Sequence, residues 1–475
     1  MKTVLVSGNF NVLHPGHLRL LRFAHEVGDR LVVAVRSDRL AGRDSFVPEG
    51  LRLEGVRSNG WVDEAFILDE PIEDLIARLK PDIVVKGKEH ESRFNVESEA
   101  LSKCGGDLIF SSGEAIFSSL DLIQRHIRDL DNSPIEFPEA FSARHNISRG
   151  RLRDILDQIV GLRVLVIGDL IVDEYITCEA LGMSQEDPSI VVTPINTQRF
   201  LGGAGIVASH ASGVGALVKF FSVAGSDESH EFASRQLRDH NVEAHIFEDS
   251  ARPTTLKQRF RADQKTLLRI SHLHQDSISS ELQEVIKREV LEAVGGSDVL
   301  IFSDFNYGCL PQHLVAALSL EARRHNVIMA ADSQSSSQVG DVARFRGMHL
   351  LTPTEREARL SLRNQEDGLA IIAEELARKT DSKALFLKLG SEGMILHASE
   401  GSGERRTDRI PALNALPRDV AGAGDSLLVL GILATAVGAT PWEAACLGSL
   451  AAAIQVGRVG NIPLSGEALL KELAP

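Results

Sequence analysis

Several features that mark particular protein classes are scarce in this 475-residue chain. Its four cysteines are scattered without paired spacing, which argues against a disulfide framework and against a structural zinc site. A net charge of −15 leaves no basic excess for a nucleic-acid groove, so no nucleic-acid partner is expected. The apolar run at 427–439 is too short to span a bilayer and predicts a buried helix, so no membrane association is expected.

The N-terminus also lacks the apolar segment of a signal peptide, because it turns polar within seven residues. We therefore expect a cytoplasmic protein. Apolar residues make up 43% and charged residues 25% of the chain, which is ordinary for a globular protein with more than one core. At roughly 150 residues per domain, the length predicts two or three domains.

Apolar runs of strand length alternate with segments of helical periodicity along most of the chain. This alternation predicts α/β domains with doubly wound parallel sheets. Two buried strands that each end in a Gly loop, near residues 4 and 164, indicate two such domains, at 1–130 and 161–475. A linker with two prolines and a helix are predicted between them, at 131–160.

The second domain contains two stretches of a different character, at 176–200 and 245–272. Apolar and polar residues alternate there, which is typical of exposed antiparallel strands. We therefore predict a small β-lid beside the α/β core. Exposed lid strands often pair with those of another subunit, so a homodimer through the lid is expected.

Two histidines lie in the sequence HPGH, where the loop after the first strand gives way to a helix. Pro15 suits a first helical turn, and Gly16 lets another molecule approach the backbone closely. With the free N–H groups of the helix start, His14 and His17 form a candidate phosphate site. In isolation such a pattern more often marks a turn and a helix cap without a chemical role. The neighbouring sequence therefore decides between a cap and a phosphate site.

The neighbouring sequence GNFNVLHPGH resembles the opening of the cytidylyltransferase-like nucleotidylyltransferases, and the resemblance covers about residues 1–130. It implies a Rossmann-like domain that transfers a nucleotidyl group from ATP or CTP, with His14 and His17 on the nucleotide phosphates in the transition state. It also implies further nucleotide or phosphate ligands at Gly8, Phe10, Arg52, Lys86, Ser118 and Ser119. Asn11 stands where the family usually has Asp, and Leu120 where it has a hydroxyl residue, so full activity of this domain is left open.

A second candidate site is the Gly-rich run in RDVAGAGDSLLVLG, directly before a long apolar helix. Small residues expose consecutive backbone N–H groups and the helix dipole adds to them, so the loop can stabilise a phosphoryl group. Asp425 at its end is placed to accept the proton of an attacking hydroxyl. Standing alone, the GAGD run would predict only a tight turn before a buried helix.

Other segments resemble the ribokinase-like (PfkB) carbohydrate kinases over about residues 160–465: FLGGAGIVASHASGVGA, LTPTEREA, LKLGSEGM and DVAGAGDS. The resemblance implies a ribokinase-like kinase that uses ATP and Mg²⁺, with Asp425 as the base and Glu357 organising magnesium through water. It implies an anion hole at Ala421, Gly422, Ala423 and Gly424. It implies nucleotide contacts at Lys388, Gly390 and Gly393, and sugar contacts at Gly202 and Gly203.

Three further stretches, at 168–192, 252–270 and 451–461, resemble the heptose 7-phosphate kinases within that family. They imply sugar or sugar-phosphate ligands at Asp173, Lys257 and Arg259, with Arg269 as another candidate cation. The segment SDFNYG, at 303–308, stands where the group has a similar motif and implies a further sugar ligand at Asp304. Each cation is about as often a solvated charge on a lid strand. The chain departs from the usual pattern at four positions. Ile206 and Thr354 each stand where the family usually has Asn, Tyr307 stands where the heptose kinases have Lys, and Lys388 stands where the family usually has Thr.

The whole chain thus resembles the bifunctional heptose kinase/adenylyltransferases of ADP-heptose synthesis, with the two halves in reversed order. The resemblance implies a sugar-phosphate kinase joined to a sugar 1-phosphate nucleotidylyltransferase. One alternative is a kinase for a different sugar phosphate, with an N-terminal domain that is degenerate or of other specificity. Another is a nucleotide-sensing protein that retains both folds without turnover.

Overall fold

The computed structural model describes residues 2–13, 15–42, 45–87, 95–111, 134–184, 186–187, 189–262, 265–334, 340–399 and 404–474. His14, Ser118 and Ser119 therefore lie outside the described residues. The chain divides into two compact units, Met1–Ser133 and Pro134–Pro475.

The first unit is built on a five-stranded parallel sheet of order β3-β2-β1-β4-β5. The strands are β1 (Thr3–Gly8), β2 (Arg30–Arg36), β3 (Glu64–Leu68), β4 (Ile83–Gly87) and β5 (Asp107–Ser111). The helices are α1 (Pro15–Glu26), α2 (Asp38–Ala41), α3 (Glu49–Arg57), α4 (Ile72–Leu79) and α5 (Val96–Ser102).

Both faces of this sheet are buried. Along β1, Val4 and Val6 pack in one apolar cluster while Leu5 packs in another, because successive side chains of a strand point to opposite faces. The strand order reverses between β1 and β4, and ligands of such sheets bind beyond the carboxyl ends of the strands at that point. The predicted doubly wound fold is confirmed for this unit.

The second unit contains a nine-stranded sheet of order β10-β9-β6-β13-β14-β15-β16-β17-β18. Its strands are β6 (Arg163–Gly168), β9 (Leu217–Ala224), β10 (Glu243–Glu248), β13 (Val299–Asp304), β14 (Ile328–Ser333), β15 (Leu350–Leu351), β16 (Ala384–Lys388), β17 (Met394–Ser399) and β18 (Arg405–Ile410). All neighbours pair in parallel except β16 with β17 and β17 with β18.

Helices cover both faces of this sheet, with two apolar clusters beneath them. They are α6 (Glu139–Arg144), α7 (Arg149–Ile159), α8 (Gly203–Gly213), α9 (Glu228–Asp239), α10 (Ser280–Val294), α11 (Gln312–Arg324), α12 (Glu355–Leu362), α13 (Leu369–Thr380), α14 (Ala423–Ala436), α15 (Pro441–Val456) and α16 (Gly466–Glu472). The apolar run at 427–439 lies mostly in α14, and its residues from 427 to 434 are buried as predicted. Within the described part of the chain, no helix is long and apolar enough to cross a membrane.

A second, four-stranded sheet, here called the lid sheet, has the order β12-β11-β7-β8. Its strands are β7 (Leu170–Met183), β8 (Ile190–Gly202), β11 (Thr255–Ala262) and β12 (Lys265–His272). The predicted lid exists, but its predicted pairing was wrong in part, since β7 and β11 run parallel. The start of the second stretch, 245–248, belongs instead to β10 at the edge of the large sheet.

Residues 134–160, set apart in the sequence as linker and helix, belong to the second unit. Helix α7 begins at the N-cap Ser148, whose side chain accepts the N–H of Arg151. Its apolar face, including Leu152 and Ile155, is buried in the same cluster as α14 and α15. Burial of this face attaches the segment to the large domain.

Candidate functional sites

The Gly-rich run forms the start of α14, as the sequence predicts. Gly422 is the N-cap of this helix and has φ 74°, a left-handed conformation that suits glycine. A Cβ at Gly422 would lie 2.6 Å from Oδ1 of Asn461, so the neighbouring loop also excludes a side chain here. The N–H groups of the first helical turn have no partner within a helix, which makes this end an anion site.

Asp425 lies in the first turn of α14 and is buried. Burial, together with the negative charge of Asp332, raises the pKa of Asp425 to about 7, although Lys388 opposes the shift. Among the described residues, Oδ1 of Asp425 has no hydrogen-bond partner. A buried carboxylate with an unused oxygen and a pKa near neutrality suits a general base.

A buried ion pair lies beside this helix start. Lys388, the last residue of β16, donates to both carboxylate oxygens of Asp332 on β14, at 3.0 and 2.9 Å. Burial opposes the charge on Lys388, but Asp332 and Glu357 outweigh it and hold the pKa of Lys388 above its usual value. Glu357 is also buried and accepts the N–H of Thr354 in a capping box at the start of α12.

The lid sheet brings Asp173 of β7 to the same region. Asn461 donates to its Oδ2 at 3.0 Å, and Arg259 lies 3.4 Å from its Oδ1. Burial raises the pKa of Asp173, while the positive charges of Arg259 and Lys257 oppose the rise. A Cβ at Gly202 would lie 2.4 Å from Oδ2 of Asp173, which explains the first glycine of the di-glycine motif by close approach.

Four arginines surround a pocket of about 240 Å³ between the lid sheet and the loop before α14. This arginine pocket is lined by Tyr175, Arg259, Arg261, Thr266, Arg269, Pro417, Arg418, Asp419 and Val420. Arginine side chains present forked donors that match the oxygens of a phosphate group. The pocket is therefore suited to an anionic group.

The carboxylate of Asp419 joins the lid sheet to the Gly-rich loop. Its Oδ2 accepts the hydroxyl of Tyr175 at 2.7 Å and the N–H of Gly460 at 3.1 Å. Its Oδ1 accepts the N–H of Ala421, the first residue of the AGAG run, at 3.2 Å. Although burial acts in the opposite direction, these hydrogen bonds lower the pKa of Asp419, so the group is an anion.

Lys257 stacks on two aromatic rings next to this site. Its Nζ lies 4.8 Å from the ring centre of Phe305 and 5.1 Å from that of Tyr307. The backbone N–H groups of both residues donate to Asp169, a buried carboxylate that fixes their loop. Tyr307, where the related kinases have Lys, thus contributes a ring surface that holds the cation of Lys257.

Asp304 ends β13 next to β14, but its carboxylate is already used within the protein. Its Oδ2 accepts the hydroxyl of Ser333 at 2.7 Å and lies 2.8 Å from a guanidinium nitrogen of Arg344. Asp304 is buried and its Oδ1 accepts the N–H of Asn306. This arrangement favours a role in holding the strand ends over direct contact with a sugar.

In the first unit, His17 lies in the first turn of α1, beyond the carboxyl end of β1. Its Nδ1 lies 3.1 Å from the carbonyl oxygen of Val12, which leaves Nε2 as the ring nitrogen on the other edge. The ring of Phe10 lies 5.0 Å from that of His17 and also covers Gly8. Phe10 has φ 50°, a conformation that costs free energy for a side chain of this size and is often found at functional loops.

Arg52 occupies a different position from that of an exposed phosphate ligand. Its side chain has 0% exposure, and it donates to the carbonyls of Asn9 and Val47 and to the carboxylate of Asp38. Asn11 is also buried, and its Oδ1 accepts the N–H of Phe46 at 3.0 Å. Both side chains therefore tie the loop after β1 to the loop after α2.

Lys86 lies near the end of β4, the strand next to β1 at the point where strand order reverses. Its ammonium donates to both oxygens of the buried Glu97, at 2.9 and 3.0 Å. The pair is mostly shielded, with a side-chain exposure of 17% for Lys86. The sequence points to Lys86 but not to its partner Glu97.

Comparison with known proteins gives two matches along the chain. Residues 162–466, well over half of its length, match the pfkB family of carbohydrate kinases. The chain belongs to the pfkB carbohydrate kinase family. Residues 5–109 match the cytidylyltransferase-like family, so the order of the two predicted domains is confirmed.

Curated relatives include two proteins named bifunctional protein HldE. The protein from Geotalea uraniireducens is 31% identical over 332 residues, which is 69% of this chain and 66% of the relative. The protein from Geobacter metallireducens is 32% identical over 309 residues, which is 64% of this chain and 61% of the relative. The matched part thus spans somewhat less than two thirds of these relatives.

Solved structures share the fold of the pfkB unit. A carbohydrate kinase from Agrobacterium tumefaciens aligns with a TM-score of 0.50 and 23% identity, covering 66% of this chain and 97% of that one. Phosphofructokinase-2 from Escherichia coli aligns with a TM-score of 0.55 and 18% identity, covering 66% and 98%. The predicted ribokinase-like fold is confirmed.

The pfkB unit brings together most residues that the sequence predicts for it, including Asp173, Lys388 and Asp425. Two contributors were missed: Asp332, which binds Lys388, and Asn461, which binds Asp173. Asn461 is the last residue of the AAAIQVGRVGN stretch, so the sequence indicates the motif but not the contact of Asn461 with Asp173. Asp332 lies within the plain buried strand β14, and only the fold identifies it.

Proposed function

We propose that the pfkB unit phosphorylates a hydroxyl of a sugar phosphate, with Asp425 as the base. The observation that supports this most directly is that Oδ1 of Asp425, at the start of α14, has no hydrogen-bond partner among the described residues. Backbone N–H groups of this helix start can hold the transferred phosphoryl group. The substrate class is a heptose 7-phosphate or a close analogue, and the hydroxyl is the anomeric one. The motifs at 168–192 and 252–270 and the name of the HldE relatives support this class.

The arginine pocket is the proposed site of the phosphate that the sugar already carries. Arg259 connects the two regions, because it lies at the pocket and beside Asp173, whose negative charge acts on Asp425. In this arrangement Asp173 binds sugar hydroxyls while Arg261, Arg269 and Arg418 bind the distal phosphate. The sugar phosphate then lies with its phosphate in the arginine pocket and one hydroxyl next to Asp425.

Magnesium is proposed to arrive with the nucleotide. Mg²⁺ usually keeps several waters and needs only one or two carboxylates in addition to the phosphates. In the ranges that the structure describes, no three His, Cys, Asp or Glu side chains are arranged as a metal site. The buried carboxylate of Glu357 near Asp332 fits this water-mediated mode, and the ion would screen the charge of the phosphates.

The first unit is proposed to join a sugar 1-phosphate to a nucleotide and to release pyrophosphate. Its support is the match to the cytidylyltransferase-like family and the position of His17 at the helix start beyond β1. Arg52 then acts as a positioning residue that orders the loop carrying Asn9. Substrates of the whole protein are sugar phosphates and nucleotides, with a phosphatase step needed between the two activities.

The test incubates the full chain with ATP, Mg²⁺ and a panel of heptose and hexose phosphates. Mass spectrometry then measures ADP, pyrophosphate and the sugar products. A heptose 7-phosphate should give the highest kcat/KM. Arg418→Ala should raise KM for the sugar phosphate by about 10- to 100-fold and leave KM for ATP unchanged, because it removes one charged hydrogen bond. Arg418→Lys serves as the matched control that keeps the charge.

ADP formation that is equally fast with sugars lacking a phosphate would contradict the role of the arginine pocket. Absence of both ADP and pyrophosphate with every acceptor would overturn the enzyme assignment. It would favour the alternative of a nucleotide-binding protein without turnover.

A homodimer through the lid sheet is also proposed. All eight residues of β12 are exposed, and Leu268 and Ile270 alternate on the face opposite Arg269. At the far end of the lid, Met183 and Ile190 are exposed as well. An apolar sheet surface of this kind is suited to a second copy of the same surface.

Leu268→Glu with Ile270→Lys should convert a dimer to a monomer in sedimentation equilibrium. Leu217→Glu, on an exposed position of β9 away from the lid, is the control and should leave the mass unchanged. A wild-type protein that sediments as a monomer at micromolar concentration would refute this assembly.

A further inference from the structure

Lys388 places an ammonium group directly beneath the anion-binding turn of α14. A Cβ on Gly424 would lie 3.0 Å from Nζ of Lys388 and 3.8 Å from Oδ2 of Asp332. Gly424 belongs to the first helical turn, where backbone N–H groups lack partners within the helix and can bind an anion. The glycine therefore keeps open the space through which this cation reaches the turn.

Three buried carboxyl groups surround Lys388, so a phosphoryl group can bind here only if a positive charge is already present. Asp332, Glu357 and Asp425 are all buried, and the charge of each acts on Lys388. An incoming phosphoryl group adds further negative charge where solvent cannot screen it. The Lys388 ammonium donates to both carboxylate oxygens of Asp332, which fixes the direction of the side chain.

We propose that Lys388 binds a non-bridging oxygen of the phosphoryl group that this site transfers, while Asp332 positions its ammonium. The inference rests on the proposed kinase function. The acceptor oxygen forms a bond to the γ-phosphorus, the bond to the β-γ bridging oxygen breaks to leave ADP, and the hydroxyl proton passes to Asp425. Lys388 keeps its proton throughout and contributes charge and a hydrogen bond.

The test compares a ligand that has the γ-phosphoryl group with one that lacks it. Calorimetry with Mg²⁺ measures the affinity of the full chain for ADP and for the non-hydrolysable ATP analogue AMP-PNP. Lys388→Met should weaken AMP-PNP binding by about 10- to 100-fold and ADP binding by less than about threefold, because a charged hydrogen bond to the γ-phosphoryl group is lost.

A double variant separates this role from a structural one, since Lys388→Met leaves the Asp332 carboxylate buried without its partner. Lys388→Met with Asp332→Asn removes both charges and should restore the melting temperature. If AMP-PNP binding remains selectively weak in the refolded double variant, Lys388 acts on the phosphoryl group. If the double variant binds AMP-PNP as tightly as wild type, or loses both ligands equally, the proposal fails.

Neither measurement needs a sugar, so the outcome is independent of the acceptor assignment. Selective loss of AMP-PNP binding in a protein inactive on the whole sugar panel would reject the substrate class and keep the role of Lys388. Full activity of the wild-type protein on a heptose phosphate, with unchanged AMP-PNP affinity in the double variant, would keep the substrate class and reject the role of Lys388.

Discussion

Asp425 shows how burial prepares one carboxylate for chemistry. Water is excluded from it, and the nearby Asp332 disfavours a second negative charge, so its pKa is raised to about 7. Lys388 limits the rise, which keeps the base usable at neutral pH. A carboxylate with an ordinary pKa would be ionised more fully but would be a weaker base.

The pH dependence of the kinase follows from this shift. Because Asp425 must be ionised to accept a proton, kcat/KM should fall about tenfold per pH unit below pH 7 and level off above it. Initial rates of ADP formation between pH 5.5 and 9 measure the profile. A flat profile down to pH 5.5 would mean that Asp425 is not the titrating base.

Asp425→Asn should lower kcat by about 10²- to 10⁴-fold, because the general base is removed. The direction in which Asp425→Asn changes the stability of the fold also follows from the pKa of Asp425. Since the folded pKa lies above the unfolded value, this carboxyl costs stability increasingly as pH rises from about 4 to 7 and fully above that. The variant should therefore melt at the same or a higher temperature at pH 8, and a marked fall in melting temperature would attribute lost activity to misfolding.

At the scale of elements, the anion site depends on how α14 begins. The left-handed Gly422 turns the chain into the helix, and Asn461 fills the space where its side chain would stand. Asn461 also reaches Asp173 and the carbonyl of Leu201, so one amide joins the Gly-rich turn to the lid sheet. The start of α14 and strand β7 are thereby held in one geometry.

Gly422→Ala should destabilise the protein by more than the roughly 1–2 kcal/mol cost of a left-handed alanine, and lower kcat about 100-fold by shifting the turn. Gly438→Ala is the control at the other end of α14. Gly438 also has a positive φ, 82°, but nothing lies within 4 Å of its Cβ position. Urea unfolding and ADP assays are carried out on both variants. Gly438→Ala measures backbone strain alone, while Gly422→Ala also displaces Asn461. Equal effects of the two substitutions would show that the Asn461 contact does not matter.

The elements were largely predictable while their long-range partners were not. The helix at 427 and the buried strands follow from local apolar periodicity, and the position of Asp425 follows from small residues before a helix. Lys388 and Asp332 are separated by 56 positions, and Asn461 and Asp173 by 288. These contacts depend on strand order, which a single sequence does not encode locally. Arg52 illustrates the same limit. The family resemblance implied a phosphate ligand there, and only the fold shows that its side chain is buried and links two loops.

At the scale of the whole molecule, two compact units with separate apolar cores lie in one chain. The first unit ends its sheet at β5, and α7 packs with the second unit. Each candidate site is built from residues of a single unit. The two activities should therefore respond separately to substitutions.

His17→Ala should lower pyrophosphate release by about 100-fold, because it removes a donor to the phosphates, and leave ADP formation intact. Asp425→Asn should have the converse effect. Coupled assays on the same preparation, supplied in turn with the kinase substrate and with a sugar 1-phosphate plus ATP or CTP, measure both rates. Unchanged pyrophosphate release in His17→Ala would assign that domain another role, such as nucleotide binding without catalysis.

The hydrogen bond between Tyr175 and Asp419 has a consequence for futile turnover. The lid strand β7 and the Gly-rich loop share the carboxylate of Asp419, and burial keeps the Tyr175 hydroxyl protonated by raising its pKa. We expect a sugar on the lid strand to steady Tyr175 and, through this hydrogen bond, the Gly-rich loop. We expect ATP to be spared until an acceptor is present, and a Tyr175→Phe enzyme to hydrolyse more ATP per sugar phosphorylated.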